Sequence, residues 1–355
     1  MRKILVTGGA GFIGSHIAEY YAKLGNKVVV LDNLSRLKMF NRSVFKSFSN
    51  WEYLKKYPNI ELIFGDIRDF SMIKKIVRDV DVIFHAAAQT AVTTSVTDPH
   101  NDFTNNAIGT FHVLEAARQS GAKPSIIFCS TNKVYGDNVN NIPLGENNNR
   151  YVFNEKYCDC GIPENNSIDL CEHTPYGCSK LTGDIYMQDY AHLYGLKIGV
   201  FRMSCIYGTR QMGVEDQGWV AWFAIANVTG SPVTIYGDGK QVRDILYIED
   251  LIKAYDSFLK SDYKHMVVNM GGGHKNTISL LELVTKLEKF SGREMEIQFS
   301  DWRPSDQKVY ISDISKAKKL LSWEPKISPD EGLEKLFNWT RENSEMLRRV
   351  LKKAA

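Results

Sequence analysis

Apolar positions in the first third of the chain fall into short runs, separated by stretches in which they recur every three to four residues. The runs at Lys3–Thr7, Lys27–Asp32, 61–64, 82–86 and 125–130 are rich in Val, Ile, Leu and Phe and too short for helices. They read as parallel strands buried on both faces. The stretches 13–24, 71–77 and 105–119 carry apolar residues at the helical period. This alternation predicts an α/β, Rossmann-like fold: a doubly wound parallel sheet with helices on both faces. A long helix at 176–194 and a strand at 196–202 extend it.

The pattern becomes irregular after Met203. Residues 219–228 read as a buried helix, 244–259 as one more strand-helix unit, and 279–290 as a helix capped by Ser279. Residues 313–321 and 329–341 read as late helices. The expected division is a dinucleotide-binding domain from 1–203 and 243–268, and a smaller α/β substrate domain from 204–242 and 269–355. Segment 137–174 is long, rich in Asn and Gly, and aperiodic. Its aromatics Tyr151, Phe153 and Tyr157 favour order, so it reads as a flap over the active site.

Composition narrows the function classes. Among 355 residues, 44 Lys and Arg face 41 Asp and Glu, a formal charge of +3 that does not point to nucleic acid. No apolar stretch reaches the roughly 18 residues of a membrane span. The start MRKILVTGG has too short an apolar run for a signal peptide, so the cytoplasm is expected. The six cysteines then read as free thiols. Cys158, Cys160, Cys171 and Cys178 lack the C-x2-4-C pairs of structural zinc sites, and no metal is expected. The basic end from Arg348 to Lys353 reads as complementing a helix dipole.

The strongest local motif is Gly8-Gly9-Ala10-Gly11-Phe12-Ile13-Gly14, directly after the first strand and at the opening of a helix. Gly8 permits a tight turn, Gly11 lets backbone approach a pyrophosphate, and Gly14 lets the helix lie close. The helix N-terminus supplies amide donors and partial positive charge for phosphates. Asp32 ends the second strand, 18 residues after Gly14. A carboxylate there accepts from an adenosine ribose and repels a 2′-phosphate, which favours NAD over NADP, although Arg36 lies nearby. Asp66 and Ile67, after the third strand, are candidates to flank the adenine.

Tyr176 and Lys180 stand four apart at the start of the long helix, on one face. A neighbouring ammonium favours the phenolate of a tyrosine, whose ordinary pKa is about 10. Lys180 is also placed to hydrogen-bond a nicotinamide ribose. Ser130 and Thr131 end an upstream strand, where a hydroxyl can orient a substrate alcohol. Arg243 and Arg303, each in a loop, are candidates to clamp a diphosphate.

The glycine loop, Tyr-x-x-x-Lys and the upstream hydroxyl together resemble the extended short-chain dehydrogenase/reductase superfamily. The words STNKVYGD (130–137), TPYGCSK (174–180), DQGWV (216–220), GKQVRD (239–244) and SDQ (305–307) resemble its CDP-tyvelose (CDP-paratose) 2-epimerase family, to about residue 340. The resemblance implies an NAD-dependent enzyme that inverts C2 of a CDP-linked hexose through a 2-keto sugar. It implies Tyr176 as base, with Lys180 and Thr131 beside it. It implies cofactor contacts from Gly8, Gly11, Phe12, Ile13, Gly14, Asp32, Asn33, Ser35, Arg36, Asp66, Ile67, Ala86, Ala87, Ala88, Asn106 and Ser130, with Tyr176 and Lys180. It implies substrate contacts from Gln89, Thr93, Ser95, Thr131, Arg150, His173, Arg210, Gln211, Gln217, Arg243, Arg303 and Asp306. A homodimer or homotetramer is implied, through helices at 105–119 and 176–194. Related dehydratases carry Asp-Glu after the catalytic Thr, whereas this chain has Asn132-Lys133. Cys205 stands where many members place a diphosphate-binding Asn, leaving that contact unassigned. A UDP-sugar 4-epimerase and a net NAD(H)-dependent reductase remain alternatives.

Overall fold

The structure, a computed structural model, describes residues 1–36, 49–154, 160–303 and 305–351. The expected strands form one parallel seven-stranded sheet. Its members are β1 (Lys3–Thr7), β2 (Lys27–Asp32), β3 (Ile60–Phe64), β4 (Val82–His85), β5 (Ser125–Thr131), β8 (Ile198–Met203) and β12 (His265–Met270), in the order β12-β8-β5-β4-β1-β2-β3. Ile4, Leu5, Val6, Val30, Ile83, Phe84 and Ile127 are fully buried, which explains the unbroken apolar runs. In parallel register Thr7 lies opposite His85, and Thr131 opposite Met203, so these strands finish along one edge. From β1 the chain builds β2 and β3 on one side, then crosses back to place β4 on the other. That reversal opens a crevice beyond the carboxyl ends of β1 and β4, where open α/β sheets bind ligands.

Helix α1 (Phe12–Lys23) follows the glycine loop, and α2 (Phe70–Val77) starts on the Asp69 side chain, which accepts from the Met72 amide. The helix expected over 105–119 is continuous in pattern but not in structure. A short helix Pro99–Phe103 runs into a π-helical turn, Thr104–Ile108, and only then into α3 (Gly109–Gln119). Such single π turns re-aim side chains. Here Asn106 points into the protein, onto Gln89 O, Asp102 and Ser179.

The smaller unit holds β10 (Val233–Tyr236) paired with β14 (Ile297–Ser300), and a sheet in which β11 (Val242–Tyr247) contacts β9 (Cys205–Tyr207), β13 (Thr277–Ser279) and β15 (Val309–Tyr310). The chain therefore returns to the large sheet after Tyr247, later than the expected boundary at 243. The helix Trp219–Thr229 is buried as expected, and Leu280–Ser291 carries the Ser279 cap, completed by Glu282 as a capping box. Arg348 donates to Val228 O near the end of the helix Trp219–Thr229, so the basic terminus complements another helix's carbonyls. Lys352 and Lys353 lie outside the described residues.

Segment 137–174 is more firmly built than a flap. A 3-10 stretch, Asn132–Asn141, leads into a hairpin of β6 (Leu144–Asn147) and β7 (Arg150–Phe153). Val139, Ile142, Phe153 and Ile162 share a core with Val242 and Val309–Ile311. Ile162 N donates to Ile311 O. The segment thus docks on the smaller unit. Tyr157, Cys158 and Asp159 lie outside the described residues.

The long helix α4 (Thr174–Tyr194) is tied to the large sheet by charge as well as packing. Asp184 on α4 is fully buried and takes two guanidinium hydrogen bonds from Arg202 on β8, each 3.0 Å, and one from Ser130 at 2.6 Å. Arg202 also donates to Tyr135 Oη. Removing one member of a buried pair strands the other in a dry environment. Asp184→Ala is expected to lower unfolding free energy by about 3–5 kcal/mol in urea titrations. A loss under about 1 kcal/mol would show that Arg202 regains water.

Candidate active site

The glycine loop closes on the crevice as the sequence requires. Gly8 has φ +68°, and a Cβ there would stand 2.6 Å from Ala87 N. A Cβ on Gly14 would stand 2.3 Å from Gly8 O, so α1 lies against the loop only because Gly14 has no side chain. Helix α1 starts at Gly11 with no side-chain cap and no acid in its first turn. Its N-terminal amides, including those of Phe12 and Ile13, thus face the crevice without a capping anion, the arrangement that receives phosphate. Asp32 accepts from Ala10 N at 3.0 Å and Leu34 N at 2.7 Å; burial pushes its carboxyl up, against those amides.

The surrounding cofactor candidates form one rim. Asn33 bridges Ser35 N and Asp66, and Asp66 is paired with Arg68 at 2.7 Å. Burial raises the Asp66 carboxyl, but hydrogen bonds from Arg68 and Asn33 hold it at about 2. Ile67 is buried against Gly109. The turn of Ala86, Ala87 and Ala88 is pinned by Thr7, whose carbonyl and hydroxyl accept from Ala86 N and Ala87 N. Beneath it, His85 spans Thr7 and Thr110 hydroxyls at 2.7 and 2.9 Å. Burial pushes that imidazole down to about 3, so it is neutral at pH 7. Arg36 donates to Met212 O and Gln217 rather than lying free beside Asp32.

The catalytic candidates converge at the end of β5. Tyr176 is buried, and burial pushes its phenol up to about 12. The Thr131 hydroxyl opposes that rise, while the Asp102 carboxyl adds to it. The expected influence of Lys180 on the phenol is not the opposing one. Its ammonium donates to Cys129 O at 2.7 Å, over the Phe128 ring, and desolvation pulls it down to about 8.

Several candidates prove to be supports. The Ser130 hydroxyl donates to Asp184. Ser95 is fully buried and accepts from Tyr176 N at 3.1 Å, fixing the first turn of α4. Arg150 is bound to Glu282 and Thr277, drawn to the smaller unit by its hairpin. His173 is held by Ile168 O and Cys171. Arg210 pairs with Glu19 at 2.7 Å on the flank of α1. The sequence reading missed Asp102, which accepts from Ser179 at 2.5 Å and from Asn106, and His85, both joined to partners far along the chain.

On the substrate side, Gln89 Oε1, Thr93 Oγ1, Gln211 Oε1 and Arg303 Nε are buried without a protein partner. Buried polar atoms of this kind need a ligand or water. Gln217 spans Arg36 and Thr90, across the crevice. Arg243 pairs with Asp306 at 2.8 Å, and Arg303 with Asp216 at 3.1 Å. Asn132 Nδ2 donates to Gln307, itself fully buried. A cavity of about 570 Å³ opens here, lined by Asp137, Asn140, Trp302, Arg303, Asp306 and Lys308. Among the described residues no cluster of His, Cys, Asp and Glu is arranged to hold a metal.

Thr131→Val removes the hydrogen bond that lowers the phenol's pKa, so the phenolate becomes scarcer at neutral pH. The acidic limb of the kcat/KM profile is expected to move to higher pH. Activity at pH 7 is expected to fall about 10- to 100-fold, the scale of a hydrogen bond to a charged group. An unmoved limb would remove Thr131 from this role.

Residues 5–336 match the family model described as GDP-mannose 4,6 dehydratase. Over 347 residues the chain is 40% identical to a CDP-paratose 2-epimerase of Salmonella typhi, covering 95% of this chain and 99% of that one. It is 32% identical to a UDP-glucuronate 4-epimerase of Thermodesulfobacterium geofontis, covering 98% of each chain. The crystal structure of a Bacillus cereus UDP-glucuronic acid 4-epimerase, in complex with UDP-glucuronic acid and NAD, superposes with a TM-score of 0.78 at 30% identity, covering 96% of this chain and 99% of that one.

Proposed function

The chain belongs to the GDP-mannose 4,6-dehydratase family of extended short-chain dehydrogenase/reductase enzymes, and we propose that it is an NAD-dependent isomerase inverting C2 of a CDP-linked hexose, CDP-paratose to CDP-tyvelose in type. The observation that carries the chemistry is the buried Tyr176 phenol, whose anion the Thr131 side chain favours, beside a glycine cradle at the sheet's switch point. The choice of C2 and cytidine rests on the resemblance to the Salmonella typhi enzyme over the whole chain.

NAD, when bound, supplies the acceptance and return of a hydride at the inverted carbon. The cradle fits it: α1 offers uncapped amides for the pyrophosphate, and Asp32 stands at the end of β2 for the ribose diol. Tyr176 Oη takes the proton of the sugar hydroxyl and later gives it back, with Thr131 holding the hydroxyl in line. Lys180, already desolvated, stabilises the phenolate once the crevice is filled. The anchored nucleotide lets the 2-keto sugar present its other face. Asn132 and Lys133 supply no carboxylate for dehydration. Net redox is zero, so the cofactor stays on the protein between turnovers.

The UDP-sugar relatives support a second reading, 4-epimerisation of a UDP-sugar with the same groups. Phe111 on α3 and Ile185, Tyr186 and Leu193 on α4 are exposed, with Phe111 packed edge-on to Tyr186. This face supports a homodimer, or a homotetramer built from it. No helix among the described residues is long and apolar enough to cross a membrane, and the substrate chemistry fits a cytoplasmic enzyme.

Purified enzyme is expected to interconvert CDP-paratose and CDP-tyvelose without added NAD and without net NADH absorbance. Turnover of UDP-glucose but not CDP-paratose would replace the reading with the 4-epimerase, and stoichiometric NADH would replace it with a reductase. Tyr176→Phe is expected to lose about 100- to 10,000-fold in kcat, the range of a general acid-base group. Retention of more than about a tenth of the activity would assign the proton to another group.

A further inference from the structure

Two of the cations on the substrate side of the crevice are already neutralised. Arg243 is paired with Asp306, and Arg303 with Asp216. Lys133 differs. Its ammonium donates to Ser305 O at 3.4 Å and forms no ion pair among the described residues. It is desolvated, which pulls its pKa down to about 8 even though Asp306 acts to raise it and Arg243 to lower it. Lys133 is half-buried, and a partly desolvated ammonium without a direct ion pair favours an anion that joins it.

Its placement is fixed by both chain and partners. Lys133 N donates to Thr131 Oγ1 at 3.2 Å, directly beside the hydroxyl that touches Tyr176. Asn132 holds Gln307, and Gln307 holds Gly136 O, so the loop carrying Ser305 and Asp306 is locked to the stretch carrying Lys133. Cys205 lies on the other side and offers only a neutral thiol, pushed up by burial and engaged by Trp219 Nε1.

We infer that Lys133 is the specificity-determining cation that receives the substrate's diphosphate and so presents C2, rather than C4, to Tyr176. This rests on the nucleotide-sugar reading above. In a hexose, C2 is bonded to C1, the carbon that carries the diphosphate, whereas C4 lies across the ring. An enzyme that reacts at C2 must therefore hold the diphosphate close to its catalytic hydroxyls. Lys133 stands next but one to Thr131 in the chain, and its ammonium, held at Ser305 O, has no ion pair of its own among the described residues. Arg243 and Asp306 then serve the more distant part of the nucleotide. The same ammonium also accounts for the unassigned contact at Cys205: the diphosphate finds its donor on β5's continuation instead of on β9.

The test is calorimetric binding of CDP, UDP and cytidine to the NAD-bound wild type and to Lys133→Met and Lys133→Arg. Lys133→Met keeps the length and removes the charge. It is expected to weaken CDP about 30-fold or more, as loss of one member of a desolvated charge pair does, and to leave cytidine unchanged. Its Tm without nucleotide is expected to hold or rise, because a stranded charge has gone. Lys133→Arg is expected to restore most of the CDP affinity. With CDP-paratose, KM is expected to rise more than kcat falls. Equal CDP binding by wild type and Lys133→Met overturns the inference, as does an equal loss for cytidine, which marks a folding defect. If UDP binds more tightly than CDP, the cytidine reading fails, while the comparison of wild type with Lys133→Met on UDP still decides the role of Lys133.

Discussion

The site turns on a conflict between dryness and charge. Tyr176 must be shielded from water if a hydride is to pass beside it, yet shielding alone pushes its phenol up to about 12. A phenol with so high a pKa stays protonated at neutral pH, and cannot take a proton, unless neighbours favour its anion. In the protein by itself, Thr131 supplies that help and Asp102 works against it. Lys180 sits ready on Cys129 O, at a pKa of about 8.

Holding that arrangement falls to a set of buried polar contacts around it. The Asp184–Arg202 pair fixes α4 to β8, and Ser130 ties the same carboxylate to β5, one residue from Thr131. Ser95 holds the Tyr176 amide, and the π turn aims Asn106 at Ser179 on the next turn of α4. Tyr176 and Thr131 thus stand on elements braced by buried polar contacts, and such contacts rigidify a site only when every member is satisfied.

Much of this was legible in the sequence. The strand, glycine loop and helix at the N-terminus form as read, because their signals are local: period, glycine spacing and a terminal Asp. Thr131 acts on the Tyr176 phenol, whereas the Lys180 ammonium lies on Cys129 O. What the sequence hid depends on distant partners. Ser130 and Asp184 are 54 residues apart, and the core that turns segment 137–174 into a docked unit comes from Val309–Ile311. The π turn was invisible because a continuous helix buries nearly the same apolar positions. Arg150, Ser95 and Arg210 were assigned by resemblance, and they contact Glu282, Tyr176 N and Glu19, although buried nitrogens of both arginines keep no protein partner.

The central claim is that one hydrogen leaves the inverted carbon and returns to it without meeting water. CDP-paratose carrying deuterium at C2 tests it most directly, with product analysed by mass spectrometry and NMR. The label is expected at C2 of CDP-tyvelose, undiluted by ordinary water. Loss of the deuterium to solvent would mean proton abstraction at carbon, and the account of Tyr176 as an oxygen base beside a bound dinucleotide would fail.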